Sequence, residues 1–287
     1  MSTHPHGLPA ARDLKPLIAA LFITAFVMGL EIAAGFLSHS LALLADAGHM
    51  ATDTAALGMS WFACWIARQP ATRTKTYGFY RTEILAAFLN GLTLWLIVAW
   101  IIYEAVQRFF HPPVVRAPMM LVTAVIGLAA NLLCAWVLRH SQSQGLNLRS
   151  AYLHVLSDAL GSVSVIAAAV IIWMTGWSLA DPVASLLVCA GILWGSWNLI
   201  RDSVNILLEG APAHIEVRKV MREMQAVEGV RRIHDVHIWT ITSGMEAMSA
   251  HVVVGDSSGN QKVLDGLNKL LCDRFGIHHT TFQLETS

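Results

Sequence analysis

The sequence contains few charged residues and few cysteines. Aspartate, glutamate, lysine and arginine make up 13% of the 287 residues, about half the usual quarter. The 19 basic and 19 acidic residues cancel, so no net positive charge exists to attract nucleic acid. The four cysteines are scattered without a CxxC pair, which excludes a disulfide framework. Hydrophobic residues make up 55% instead, which excludes a disordered chain and indicates a membrane protein.

Six long apolar runs account for this composition. They lie at 17–37, 41–66, 85–103, 119–138, 151–174 and 183–200. Each reaches the roughly 18–20 residues that a helix needs to cross the bilayer core. Because lipid cannot hydrogen-bond an open backbone, each run is predicted to be a transmembrane helix.

The lysines and arginines between the runs predict the orientation. With the amino terminus inside, the inner segments hold nine of them, whereas the outer loops hold only Arg108 and Arg116. The positive-inside rule then places both termini in the cytoplasm. We therefore expect a cytoplasmic tail at 1–16 and a six-helix transmembrane domain at 17–210.

The segment 211–287 has the composition and hydrophobic pattern of a small soluble domain. Its hydrophobic periodicity predicts helices at 214–227 and 260–274 and strands at 231–241, 247–254 and 279–285. This αββαβ order is similar to a ferredoxin-like α+β sandwich. About 75 residues fold alone only marginally, so we expect a partner subunit.

Two of the predicted spans carry a histidine followed four residues later by an aspartate. The pairs are His49 with Asp53 and His154 with Asp158. The spacing places both side chains of a pair on one helix face. If the two faces oppose each other, two imidazoles and two carboxylates can form a tetrahedral site for Zn²⁺. A single histidine in a span is more often a helix–helix hydrogen bond, but a repeated pair favours ligation.

The charges of these groups indicate what such a site does. Two carboxylates and two neutral imidazoles balance a divalent cation, whereas the emptied site favours bound protons. Metal and protons then compete for one site, as an antiporter requires. The pairs lie at different depths unless the fifth helix begins earlier, near residues 145–147, which the amphipathic stretch 146–153 permits.

Other polar groups in the spans allow more than one interpretation. Asp46 lies three residues before His49, where it could support a metal ligand from behind, relay protons or cap a helix. Glu31, Asn90 and Asn131 are interpreted as helix-association groups.

Several motifs together resemble the cation diffusion facilitator family, specifically its bacterial zinc-exporting branch. They are the segments 40–53 (SLALLADAGHMATD), 77–83 (YGFYRTE), His154 with Asp158, 208–212 (LEGAP) and 234–239 (HDVHIW). They occur in the expected order and cover nearly the whole chain.

The resemblance implies a homodimer in the bacterial inner (cell) membrane that exchanges cytoplasmic Zn²⁺ for protons by alternating access. It also implies a transport site at His49, Asp53, His154 and Asp158. The histidine at position 49 favours zinc, with Cd²⁺ and Co²⁺ as lesser substrates, in agreement with the softer imidazole donor.

For the cytoplasmic domain, the resemblance implies regulatory zinc on three residues: His234, His251 and Glu285. They lie on three predicted strands, and the neighbouring histidines 237, 278 and 279 could replace one of them. The resemblance further implies a charge interlock between Arg81 and Glu209 near a dimer axis, for which two solvated charges are the alternative.

Two other classes remain as alternatives. An intramembrane zinc hydrolase would need an open metal position and a general base such as Glu31 or Asp46, but the chain has no HExxH. A membrane-anchored metal sensor would leave the ionisable groups in the spans unexplained. We therefore expect a transporter and not an enzyme.

Overall fold

The computed structural model describes residues 15–67, 69, 72–139, 146–255 and 259–286. Six long helices lie in the predicted order. They are α1 (Lys15–Ser38), α2 (Leu41–Ala67), α3 (Arg81–Phe110), α4 (Ala117–Arg139), α5 (Leu146–Thr175) and α6 (Ala180–Leu207). Helix α5 is helical from Leu146, which agrees with the early beginning that the second His/Asp pair requires.

By length and composition, four of the described helices can cross a membrane. They are Arg81–Phe110, Ala117–Trp136, Asp158–Thr175 and Ala180–Leu207, and Phe22–Ser38 is a shorter apolar helix. Many of their large side chains are exposed, including Phe22 and Trp194 at 72% and 87%. Such outward-facing apolar surface suits a lipid environment rather than water.

The described residues form two compact units. The first extends to Leu57 and includes Leu92–Ser196, and the second contains Gly58–Gly91 and Trp197–Ser287. In the first unit, α4 packs against both α1 and α5. Its core is built largely from small and medium residues such as Ala124, Val165 and Ala169, which allow helices to approach closely in a membrane.

Asp181, a fully buried residue of α6, fixes the beginning of α2. Its carboxylate accepts hydrogen bonds from Ser40 Oγ at 2.7 Å and from the backbone N–H groups of Leu41 and Ala42 at 2.8 and 3.1 Å. Arg108 lies 3.2 Å from the same carboxylate and supplies its counter-charge. Because the first N–H groups of a helix lack intrahelical partners, this carboxylate positions the helix that carries the first His/Asp pair.

The second unit contains a small α+β domain with the predicted element order. Its elements are α7 (Val217–Gln225), β1 (Val230–Thr242), β2 (Met245–Val254), α8 (Asn260–Phe275) and β3 (His279–Thr286). The sheet order is β1-β2-β3, with β1 and β2 antiparallel and β2 and β3 parallel. Gly244 has a φ of 73° in the turn between β1 and β2.

Helix α7 begins three residues later than the sequence predicts. The prediction started it at residue 214, but Glu216 has extended backbone angles, with φ −80° and ψ 101°. Val220 and Met224, one turn apart on α7, are buried with Leu267 and Leu271 of α8. The two helices thus contribute one apolar face each to the core that they share with the sheet.

Candidate metal sites

The first candidate site lies between α2 and α5. His49 Nε2 approaches Asp158 Oδ1 to 3.6 Å, and the two side chains are 23% and 6% exposed. Two ligand atoms of a tetrahedral Zn²⁺ lie about 3.4 Å apart, given metal–ligand distances near 2.0–2.2 Å. The structure therefore brings one histidine and one aspartate of the two different pairs to a separation suited to sharing a metal ion.

The other two predicted ligands are on the same helices. The side chains of Asp53 and His154 lie outside the described residues. Asp53 follows His49 by one helical turn of α2, and His154 precedes Asp158 by one turn of α5. Their placement on these two helices is what the sequence predicts, and their participation in the site stays a prediction.

Asp46 lies one turn before His49 in the interior of α2, with an exposed fraction of 3%. Ser162 Oγ, on α5, lies 3.4 Å from Asp46 Oδ2. Since Ser40 and Asp181 already occupy the amino-terminal end of α2, Asp46 is not a helix cap. Ser162 was missed by the sequence analysis, although it lies one turn beyond Asp158 and hence on the same face of its helix.

The second candidate site lies on the sheet of the C-terminal domain. His234 Nε2 is 3.0 Å from Glu285 Oε2, and His251 Nδ1 is 2.8 Å from Glu285 Oε1. The ligand atoms of these three residues all lie within 4.8 Å of one another. Among the described residues, these three side chains are close enough together to hold one metal ion.

The strand register explains this convergence. His234 on β1 lies directly opposite His251 on β2. Gln283 on β3 is opposite His251, and Glu285 lies two residues further along, which returns its side chain to the same face of the sheet. Hydrogen bonds from His234, which has the larger effect, and from His251 lower the pKa of Glu285 below its ordinary value. A carboxylate and two imidazoles are a donor set that suits Zn²⁺.

A further acidic residue beside this cluster was missed by the sequence analysis. Asp235 lies in a bulge of β1 and has a φ of 50°. Its Oδ2 lies 3.5 Å from His251 Nε2, the ring nitrogen that faces away from Glu285. A carboxylate on the second nitrogen of a ligating imidazole orients the ring. The residue lies within the 234–239 motif, but a left-handed aspartate within a strand pattern is rare, so strand alternation does not predict where its side chain lies.

The neighbouring histidines make other contacts. His237 Nε2 bonds Asp235 Oδ1 at 3.0 Å, and His278 Nδ1 lies 3.3 Å from Cys272 Sγ. Neither belongs to the three-residue cluster, and His279 is an exposed residue at the start of β3. Among the described residues, the cluster therefore consists of the three side chains that the family resemblance implies.

Arg81 and Glu209 form an ion pair within one chain. Arg81 Nη2 donates to Glu209 Oε1 at 3.0 Å, and the two side chains are 40% and 64% exposed. The pair joins the first residue of α3 to the segment that follows α6. Nearby, Thr242, the last residue of β1, and Ser243, in the following turn, donate hydrogen bonds to Glu83 at 2.6 and 3.2 Å. The location of the ion pair near a dimer axis stays a prediction.

Apolar helices that enclose a histidine–aspartate contact, followed by a small domain with a histidine–carboxylate cluster, are features of a membrane transporter for metal ions. Family models agree with this class. The model described as the cation efflux transmembrane domain matches residues 17–208, and that of the cation efflux protein cytoplasmic domain matches residues 212–287. The chain belongs to the cation efflux family, also called the cation diffusion facilitators.

The chain is similar to curated members of this family over nearly its whole length. It is 43% identical to the cadmium, cobalt and zinc/H⁺-K⁺ antiporter of Bacillus velezensis and 44% identical to the zinc transporter ZitB of Escherichia coli. Each match covers 99% of this chain and 92% of the relative. The solved metal-bound C-terminal domain of the CzcD transporter from Cupriavidus metallidurans is 37% identical over 25% of this chain and 99% of its own, with a TM-score of 0.23.

Proposed function

We propose that this protein exports Zn²⁺ from the cytoplasm in exchange for protons, with Cd²⁺ and Co²⁺ as lesser substrates. The observation that carries the proposal is the approach of His49 and Asp158 between α2 and α5. The names of the two relatives, a zinc transporter and a cadmium, cobalt and zinc antiporter, support it. Zinc homeostasis and resistance are the physiological role that follows.

The proposed transport site consists of His49, Asp53, His154 and Asp158. Two carboxylates and two neutral imidazoles neutralise one divalent ion, so the loaded site carries almost no charge into hydrocarbon. Once the metal has left, the carboxylates repel each other and bind protons. Alternating access then carries metal in one direction and protons in the other, and the site is a binding site rather than a hydrolytic centre.

The proposed topology has six spans and both termini in the cytoplasm of a bacterial cell, in its inner membrane. The transport domain comprises residues 17–210, the amino-terminal tail 1–16 and the cytoplasmic domain 211–287. The last of these is proposed to have a ferredoxin-like topology and to dimerise. Its small core, centred on residues such as Val252 and Leu267, is consistent with a need for a partner subunit.

His234, His251 and Glu285 are proposed to bind a regulatory zinc ion. Their donor atoms come from three strands, so a bound metal would cross-link the sheet and stabilise the domain. In the other unit, Asp46 is proposed as a proton relay or supporting group beside the transport site, since it lies beside Ser162 of α5. Arg81 and Glu209 are proposed to form the charge interlock at the dimer.

Zinc flux in proteoliposomes tests the transport proposal. The purified full-length chain should accumulate zinc when a proton gradient is imposed, and Asp53→Ala and Asp158→Ala should abolish accumulation. Asp202→Ala is a matched control, since Asp202 is an exposed carboxylate on α6. Accumulation that is independent of the gradient, or that persists in both site variants, would contradict the proposal.

A further inference from the structure

Glu31 on α1 is a buried carboxyl group outside the four proposed metal ligands. Its exposed fraction is 1%. Its place in an apolar run favours a role in helix association, but its Oε2 atom has no hydrogen-bond partner among the described residues. An ionised carboxylate without a partner is expensive in hydrocarbon. Helix association alone does not explain why this position carries an acid.

The backbone of α4 is shaped to receive this carboxyl group. A Cβ atom placed on Gly127 would overlap Glu31 Oε1. The same position lies 3.8 Å from Ser162 Oγ, so Glu31 and Ser162 border one gap that the glycine leaves open. In this conformation, the carboxyl group of α1 occupies space next to the α4 backbone that a side chain at residue 127 would share.

Polar atoms lead from this gap to the proposed transport site. Ser162 Oγ lies 3.4 Å from Asp46 Oδ2 and 3.2 Å from the backbone carbonyl oxygen of Asp158. Asn131 on α4 donates to the same hydroxyl at 3.5 Å. Ser162 is 1% exposed and Asn131 is 4% exposed. A buried polar network therefore extends from α4 through α5 to the helix that carries His49.

Within the described part of the chain, the ionisable groups that interact electrostatically with Glu31 are acids. They are Asp46 from α2 and Asp158 from α5. Cys134 is a titratable residue of α4, the helix that packs against α1. It contacts Thr24, which lies about two helical turns away from Glu31 along α1. No lysine or arginine of the described residues pairs with Glu31. A metal ion held by His49 and Asp158 would be the positive charge that this group of acids lacks.

We propose that Glu31 is a proton-binding group of the transport cycle, which rests on the antiport proposed above. When metal enters between α2 and α5, its charge favours the carboxylate form of Glu31, whose O–H bond breaks as the proton passes by way of Ser162 and Asp46 to water. When metal leaves on the other side, a hydronium ion gives up a proton and the O–H bond at Glu31 forms again. One proton is thereby exchanged for each metal ion, in addition to those bound by the metal ligands.

Glu31→Gln tests this role, since the amide keeps the size of the side chain but cannot exchange a proton in this way. In proteoliposomes containing the full chain, we expect zinc accumulation driven by a proton gradient to fall about tenfold or more. Exchange of isotopic zinc for unlabelled zinc, which needs no net proton movement, should persist. Glu31→Asp, which restores an acid, should recover part of the gradient-driven accumulation.

The results for the wild type and for Glu31→Gln distinguish the proton-binding role of Glu31 from the proposed antiport. A wild-type chain that does not accumulate zinc against a proton gradient would contradict both. If the wild type accumulates zinc and Glu31→Gln accumulates it equally well, Glu31 does not carry the proton. Loss of both gradient-driven accumulation and zinc exchange in Glu31→Gln would assign it a structural role and would also overturn the proposal.

A pair of glycine substitutions tests the gap independently. Gly127→Ala places a methyl group against Glu31 Oε1, whereas Gly29→Ala, on α1 itself, meets nothing within 4 Å. We expect Gly127→Ala to reduce gradient-driven accumulation while zinc exchange persists, and Gly29→Ala to behave as the wild type. Equal behaviour of the two variants would mean that the gap does not hold a functional carboxyl group.

Discussion

The two candidate metal sites use the same side-chain types in opposite surroundings. In the first compact unit, Asp158 of the site between α2 and α5 is 6% exposed. In the cytoplasmic domain, His234, His251 and Glu285 are each 31–38% exposed. Water can solvate the cytoplasmic carboxylate when the metal is absent, whereas little water reaches a carboxylate buried between apolar helices. This difference supports the proposals that the buried site carries metal across the membrane and that the exposed site is regulatory.

The largest expected effect distinguishes the two sites by function. Asp158→Asn should lower zinc transport by about a hundredfold or more, because it removes a ligand together with the charge that balances the ion. Glu285→Gln should leave most of the transport at saturating zinc, since its cluster lies in the cytoplasmic domain. Zinc uptake into proteoliposomes measures both. Similar losses in the two variants would remove the functional distinction between the sites.

Buried and exposed acids should also differ in their effect on stability. Asp181→Ala should destabilise the chain by about 3–5 kcal/mol, because it leaves Arg108 without its buried counter-charge and α2 without its cap. Asp202→Ala, which removes an exposed carboxylate further along α6, should stay within about 0.5 kcal/mol of the wild type. Thermal unfolding in detergent compares the two. Equal melting temperatures would show that the carboxylate does not fix α2.

A smaller effect sharpens the description of the exposed site. His251→Ala should weaken zinc binding by the cytoplasmic domain about tenfold to a hundredfold. His237→Ala should change it little, because His237 bonds Asp235 and lies outside the cluster. Equilibrium zinc titration of full-length chains that also carry Asp158→Asn isolates the cytoplasmic site. The reverse order of effects would place His237 among the ligands.

The smallest expected effect concerns the exposed ion pair. Arg81→Ala should cost at most about 1 kcal/mol of stability, since exposed pairs gain little in water. The double variant Arg81→Ala with Glu209→Ala should be no less stable than the single one. Thermal unfolding at low and high salt provides the measurement. A loss well above 1 kcal/mol would contradict the interpretation of Arg81 and Glu209 as an exposed pair that contributes little to stability.

Local patterns predicted much of this structure. Long apolar runs, the i,i+4 pairs and alternating strands depend on residues close in sequence, so the helices, the sheet elements and the facing of His49 and Asp158 could be anticipated. The gap at Gly127 and the cap supplied by Asp181 could not. Each depends on which helices pack together and on how far they are shifted along their axes relative to one another. The residue pattern of a single helix does not specify either.

Anomalous scattering at the zinc absorption edge, from crystals of the full-length chain grown with zinc, tests the central claim most directly. The account predicts a zinc ion between α2 and α5, within about 2.0–2.2 Å of His49 Nε2 and Asp158 Oδ1. Zinc found only in the cytoplasmic domain, with no ion between these two helices, would contradict it.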